Sequence, residues 1–312
     1  MNKIIFTIAI LAGTFLETFA GTPTRPANHS VRTPLPELTK IEALEKKSLK
    51  LVPAARHSKD LISENSGLAP CSAGTEFFWT INDSGSAPKI FVIGADGKVH
   101  GNGITLTQRR NIDWECITRD PAGNLIIGDV GNNRSNRKNL VFYIVPEPKN
   151  LSIPFTEKSR KISFYYPSQD DFVPANNKNY DCESCFAVDS DFIYFFTKHW
   201  GNTESVLWRL KTDTEDYQPA QPLVRFDAHG LVTDAAVSPA QKKLAVLMYH
   251  GLWIFEIENS KIEPRERFFN NPKFYKISPP IRDWQTEGIA FLDESTLLIS
   301  AESGALFRVP VN

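Results

Sequence analysis

Five places in this sequence carry residue types that could do chemistry at equivalent points: Ser66, Glu115, Glu183, Asp234 and Glu287. Each opens a segment of one plan. The segments are SGLAPCSAGTEFFWTINDSG, ECITRDPAGNLIIGDVGNN, ESCFAVDSDFIYFFTKHWG, DAAVSPAQKKLAVLMYHG and EGIAFLDESTLLISAESG. A polar residue, mostly an acid, precedes a short strand of small and apolar residues. A turn, a strongly apolar strand and a polar tip follow. A carboxylate at the edge of a hydrophobic interior is costly unless it is paired, hydrogen-bonded or bound to a metal. Four carboxyl groups crowded on one axis repel unless some are protonated or a cation sits among them. Oxygen ligands suit a hard ion, and Ca²⁺ accepts an irregular ring more readily than Mg²⁺. The plainer reading is that each acid caps backbone N–H groups of its own or a neighbouring strand. Recurrence in five copies favours Ca²⁺, with the five residues as its ligands.

The elements that must position these residues are short strands separated by Gly, Asn, Asp and Pro turns, so the fold class is all-β. Each copy continues with a third strand: KIFVIG, LVFYIVP, SVLWRL, LWIFEI and ALFRVP. The first four add a fourth: ITLTQ, KISFYYP, PLVRF and FYKISPP. The starts are separated by 49, 68, 51 and 53 residues. Four antiparallel strands in a unit of this length make a β-propeller blade. Five blades are favoured. A sixth would have to fit the 68-residue interval, which adds one extra strand and the loop QDDFVPANNKN. The last copy lacks a fourth strand, and LKLVPAA, residues 49–55, is the spare strand expected to close it and remove the open edges.

In a propeller the first strand of each blade lines a central channel. Its start and the end of the second strand meet on one face, the top. The tips there hold Lys198, His199, Tyr249 and Glu302, and the loops bring Arg109, Arg110, Arg134, Arg137, Lys138 and Arg282. Arginine grips phosphate or carboxylate bidentately, and Trp200 and Tyr249 could stack on a base or sugar. The substrate-binding set expected is Arg109, Arg110, Arg134, Lys198, Tyr249, Arg282 and Glu302, for an anionic small molecule. His199 and His250 stand at tips and could act as acid or base. There is no G-x-S-x-G, no H-E-x-x-H and no Gly-rich phosphate loop before a helix.

Residues 1–20 read as a signal peptide: Lys3, then the short apolar run Ile4 to Leu16, then Thr18-Phe19-Ala20. Export to the periplasm or outside the cell is expected, with no membrane insertion after its removal. Residues 21–47 read as a Pro-rich linker with a short helical segment around IEALEKK, and 48–312 as the propeller. The formal net charge of −1 argues against nucleic-acid binding. A monomer is expected. Cys71, Cys116, Cys182 and Cys185 read as four buried free thiols, with a Cys116–Cys185 bridge the alternative.

The ring order Ser66, Glu115, Glu183, Asp234, Glu287, the long second interval, WTINDSG and TEGIAF resemble the calcium-activated apyrases, over roughly residues 48–312. In that family the ring order looks like Ser, Glu, Glu, Ser, Glu, so Asp234 departs. D-W-E, G-D-x-G-N-N and N-D-S-G also resemble uncharacterised exported bacterial propellers grouped with phytase-like proteins. The resemblance implies a five-bladed propeller with a channel Ca²⁺ and hydrolysis of nucleotides or phosphate esters. Asp83 or Asp129 would then position or deprotonate the attacking water. Two other readings stand beside it. One is a non-enzymatic binding propeller with a structural ion, the other a calcium-dependent lactonase or esterase.

Overall fold

The computed structural model describes residues 33–174, 179–258 and 264–311. The segment read as a signal peptide and the Pro-rich stretch up to residue 32 lie outside them. Among the described residues, no helix is long and apolar enough to cross a membrane.

The chain forms a five-bladed β-propeller. The inner strands are Asn65–Pro70, Trp114–Arg119, Asp181–Phe186, Val232–Val237 and Thr286–Asp293. Each pairs antiparallel with its second strand, and third and fourth strands follow outwards. Inner strands of consecutive blades touch, and that of blade 5 touches that of blade 1, which closes the ring. Apolar alternation fixes this arrangement: residues facing sideways from one blade pack on those of the next. Five hydrophobic clusters result, one at each blade junction. Trp79, Trp114, Trp208 and Trp253 are among the fully buried side chains. Each is a payload of about 2–3 kcal/mol on removal from water.

Four of the five blades are wider than four strands. Phe155–Lys158 lies parallel to the outer strand of blade 1, Gln218–Pro219 to that of blade 2, Leu38–Thr39 to that of blade 3, and Glu45–Lys50 to that of blade 4. The extra strand of the long interval therefore covers an edge of blade 1, and the described residues form no sixth blade. Covered edges cannot recruit another chain.

Two expectations are corrected here. Within the segment read as helical, Glu45–Lys50 is a strand laid parallel to the outer strand of blade 4, with Leu49 packed inward and Lys46, Lys47 and Ser48 exposed. The strand that closes blade 5 is Ala55–Arg56, paired with Ala305 and Leu306, whereas Leu49 and Lys50 belong to the edge of blade 4. Pro53 separates the two, since it lacks the N–H that a continuous ladder needs.

The closing strand is clasped by charge. Arg56 donates from Nη1 and Nη2 to the two oxygens of Asp283, at 2.9 and 2.6 Å, and Ser303 Oγ adds a bond of 2.7 Å. Burial opposes ionisation of Asp283, but Arg56 and Ser303 outweigh it and hold the carboxyl below its usual range. We expect Arg56→Ala to cost about 2 kcal/mol, the worth of a charged hydrogen-bonded pair. A depressed carboxyl contributes stability above the unfolded pKa, about 4, and loses it as pH falls through the folded value. The melting-temperature gap between wild type and variant should therefore be constant from pH 7 to 5 and shrink toward pH 3. A gap that persists at pH 3 would rule out the charged clasp.

Candidate functional site

A β-bulge opens the inner strand of every blade. In blade 2 the register shifts between Trp114 and Cys116, in blade 3 between Cys182 and Ser184, and in blade 5 between Thr286 and Gly288. The residues stepped over are Glu115, Glu183 and Glu287. A bulge re-aims its side chain and kinks the strand. All three glutamates are buried at the top end of the channel.

Ser66 and Asp234 sit differently. In blade 4 the shift falls between Val232 and Asp234, so Thr233 takes the bulged place and Asp234 pairs with Leu247. Asp234 accepts backbone N–H bonds from Ala235 at 2.8 Å, Ile289 at 2.7 Å and Leu68 at 3.4 Å. One fully buried carboxylate thus ties blade 4 to blades 5 and 1. In blade 1 Ser66 pairs with Ile81 before the shift, and its hydroxyl donates to the carbonyl of Glu115 at 2.8 Å. Gly67, next to it, holds φ +74, a left-handed conformation that favours glycine.

The glutamate ring divides into two halves. On the first side, Asp83, Asp113 and Glu115 offer one oxygen each, all within 4.8 Å of one another. Gly131 closes over them. A Cβ there would lie 2.6 Å from Glu115 Oε1 and closer still to Asp113 Oδ2. Arg137 holds this loop by donating to Gly131 O at 2.6 Å and to Asp129 Oδ1 at 2.6 Å. Among the described residues, no protein donor bonds the Glu115 carboxylate. Burial, then the charges of Glu183 and Asp83, push its pKa well up. Burial raises Asp113 to about 6 against the pull of Arg137, whose Nη1 is 3.8 Å away.

On the second side stands a buried cation. Lys198 Nζ donates to Glu183 Oε2 and, at 2.9 Å, to Tyr249 Oη. Tyr249 Oη in turn donates to Glu287 Oε1 at 3.2 Å. The ammonium also lies 4.5 Å from the Trp200 ring centroid, and Trp200 Nε1 donates to Asp181 Oδ2 at 2.6 Å. Burial opposes the charge, but Glu183, Tyr249 and Asp181 outweigh it and raise the Lys198 pKa. Burial, with Glu302 and Asp83 and against Lys198, raises Glu287 to about 7.

The other expected site residues are dispersed. Asp129 is buried, bonded by Arg137 and by the Asp113 N–H at 3.2 Å. It lies one residue earlier on its strand than Lys198 does, so it points the opposite way; the spacing of 14 rather than 15 from the ring glutamate is the signal. His199 is buried within blade 3, with Nε2 3.1 Å from Thr197 Oγ1, and burial beside Arg225 lowers it to about 4. Arg109 is bound to Ser159 and lies over Tyr143. Arg110, Arg134 and Arg282 are exposed, and Arg282 approaches Asp283 at 3.6 Å. Glu302 is half-buried at the mouth, raised by burial and by Glu64. Missing from the expected set were Asp113 and Asp181, each two residues before a ring glutamate in DWE and DCE. The rim carries exposed Ile112, Val173, Trp200, Ile281 and Trp284.

Cys116, Cys182 and Cys185 share one blade junction as buried free thiols, and Cys71 is buried apart from them. The bulge at Glu183 resets strand parity, which is why Cys182 and Cys185, three residues apart, face the same side.

Fold and site together define a five-bladed propeller with a carboxylate-lined channel mouth. No family model matches the chain, and no curated protein matches it. Among solved structures it is similar to a gluconolactonase of Xanthomonas campestris, at 12% identity and a TM-score of 0.41, over 90% of this chain and 89% of that one. A chain of the mitotic checkpoint complex gives the same identity and TM-score, over 90% of this chain and 99% of that one.

The placement of Asp234 separates a structural from a ligating role. We expect Asp234→Ala to cost about 3–5 kcal/mol, because it orphans buried amide donors, and to leave divalent-ion affinity unchanged. Urea unfolding and calcium titration of the same variant check both halves. A loss of affinity with stability retained would return Asp234 to the ligand set.

Proposed function

We propose that the protein is a divalent-cation-binding propeller, with Ca²⁺ the fitting ion, that hydrolyses an ester at the mouth of its channel. The observation that supports this most is Glu115: a buried carboxylate with no protein donor among the described residues, in a cluster with Asp83 and Asp113. Ca²⁺–oxygen bonds of about 2.3–2.6 Å put ligands of one ion up to about 5 Å apart, and the 4.8 Å span of the three carboxylates fits within that. Glycine at 131 lets backbone approach where a side chain would intrude.

When bound, such an ion supplies Lewis-acid polarisation of the ester and a lowered water pKa. Asp83, Asp113 and Glu115 hold it. Glu287, with its pKa near 7 and Asp83 within electrostatic reach, accepts a proton from water at neutral pH. Tyr249 orients Glu287, and the exposed Trp200 and Trp284 flank the mouth.

Charge selects the substrate class. Acids dominate this mouth, and the arginines expected to grip phosphate are spread over the outer loops or bonded elsewhere. An uncharged carboxyl ester or lactone with an apolar body suits an acidic mouth with an apolar rim better than a polyanion does. This moves the reading from the phosphate esters and nucleotides implied by the resemblance to the esterase or lactonase alternative.

Purified protein should hydrolyse p-nitrophenyl butyrate or a γ-lactone with Ca²⁺, and stop with chelator. Glu115→Gln should abolish ion binding and turnover together. Turnover should rise as pH passes about 7, because the base form of Glu287 fills above its pKa, and Glu287→Gln should lower the rate about 10²–10⁴-fold. Phosphate release from nucleotides without ester cleavage would overturn the substrate class. Bound Ca²⁺ with no turnover of any ester would leave a binding propeller.

A further inference from the structure

The two halves of the ring present the same glutamate in two electrostatic settings. Glu115 and Glu183 occupy the same bulged place on neighbouring inner strands, and each is 5% exposed. They differ in what the chain offers one residue after the second-strand residue paired just before the bulge. In blade 2 the residue after Asp129 is Val130; in blade 3 the residue after Thr197 is Lys198. Glu115 therefore meets no ammonium from its second strand, and Arg137 of its blade is bonded to Gly131 and Asp129, whereas Glu183 is bonded by Lys198.

That ammonium stands among several acids. It bonds Glu183 directly and reaches Glu287 through Tyr249. Asp181 faces it from behind Trp200, whose ring it also touches. Its side chain is 2% exposed, so water screens it little. A dense cluster of carboxyl groups needs positive charge, and here the chain itself provides it.

Resting on the metal reading above, we propose that Lys198 is the second cation of the centre. Its ammonium holds the place of a second divalent ion between Glu183, Asp181 and Glu287, so the mouth takes one ion, beside Asp83, Asp113 and Glu115, rather than two. Lys198 is thus a positioning residue that sets ion number and confines the ion to the side of blades 1 and 2. A fixed ammonium there also bars a second ion from the approach to Glu287.

The test is the number of Ca²⁺ ions bound per chain at pH 8, by equilibrium dialysis. Wild type should bind one and Lys198→Arg, which keeps the charge, one. Lys198→Met should bind two, the second lost again when Glu183→Gln is added. A folded Lys198→Met that binds one ion, or a wild type that binds two, overturns the proposal. A wild type that binds none overturns the metal reading itself, a separate failure. Should Lys198→Met unfold without Ca²⁺, refolding by millimolar CaCl₂ supports the proposal, and failure to refold counts against it.

Discussion

The buried ammonium of Lys198 is the interaction on which the channel mouth depends. Asp83, Asp113, Glu115, Asp181, Glu183, Glu287 and Glu302 gather at one end of a narrow channel. Their mutual repulsion and desolvation oppose the closed ring of blades. Lys198 offsets both on one side by bonding Glu183 and Tyr249. On the other side Arg137 secures Asp129 and the Gly131 loop, and no donor among the described residues bonds Glu115. The proposed cation site rests on this uneven distribution of positive charge.

The bulge is the geometric counterpart. One extra residue at the head of each inner strand is left unpaired and kinks the strand, and pairing resumes one residue on with its parity reset. Three glutamates occupy such places. Where the bulged residue is Thr233, the neighbouring acid falls back into the ladder, and Asp234 becomes a tie between blades, holding three amides. The capping role weighed for the repeated acids is therefore realised at Asp234. The same bulge at Glu183 brings Cys182 and Cys185 to one face beside Cys116.

The basic rim dissolves for a similar reason. Arginines at propeller tips are long enough to reach neighbouring strands, and a nearby acceptor captures them. Arg109 is taken by Ser159, Arg137 by Asp129 and Gly131, and Arg56 by Asp283. The mouth is left acidic with apolar residues around it.

The sequence by itself determined the repeat, and with it the all-β class, five blades and the channel-facing glutamates. Strand patterning is local, and five copies of it leave little freedom. It also placed chemistry-bearing residues at the top, because strand direction follows from the turn order. Only the tertiary structure decided which of them meet. A one-residue bulge is invisible in composition, so Ser66 and Asp234 were grouped with Glu115, Glu183 and Glu287, and Asp113 and Asp181 were absent from the expected site. The partners of Lys198 come from blades 3, 4 and 5, and no local pattern records contacts that form only when the ring closes.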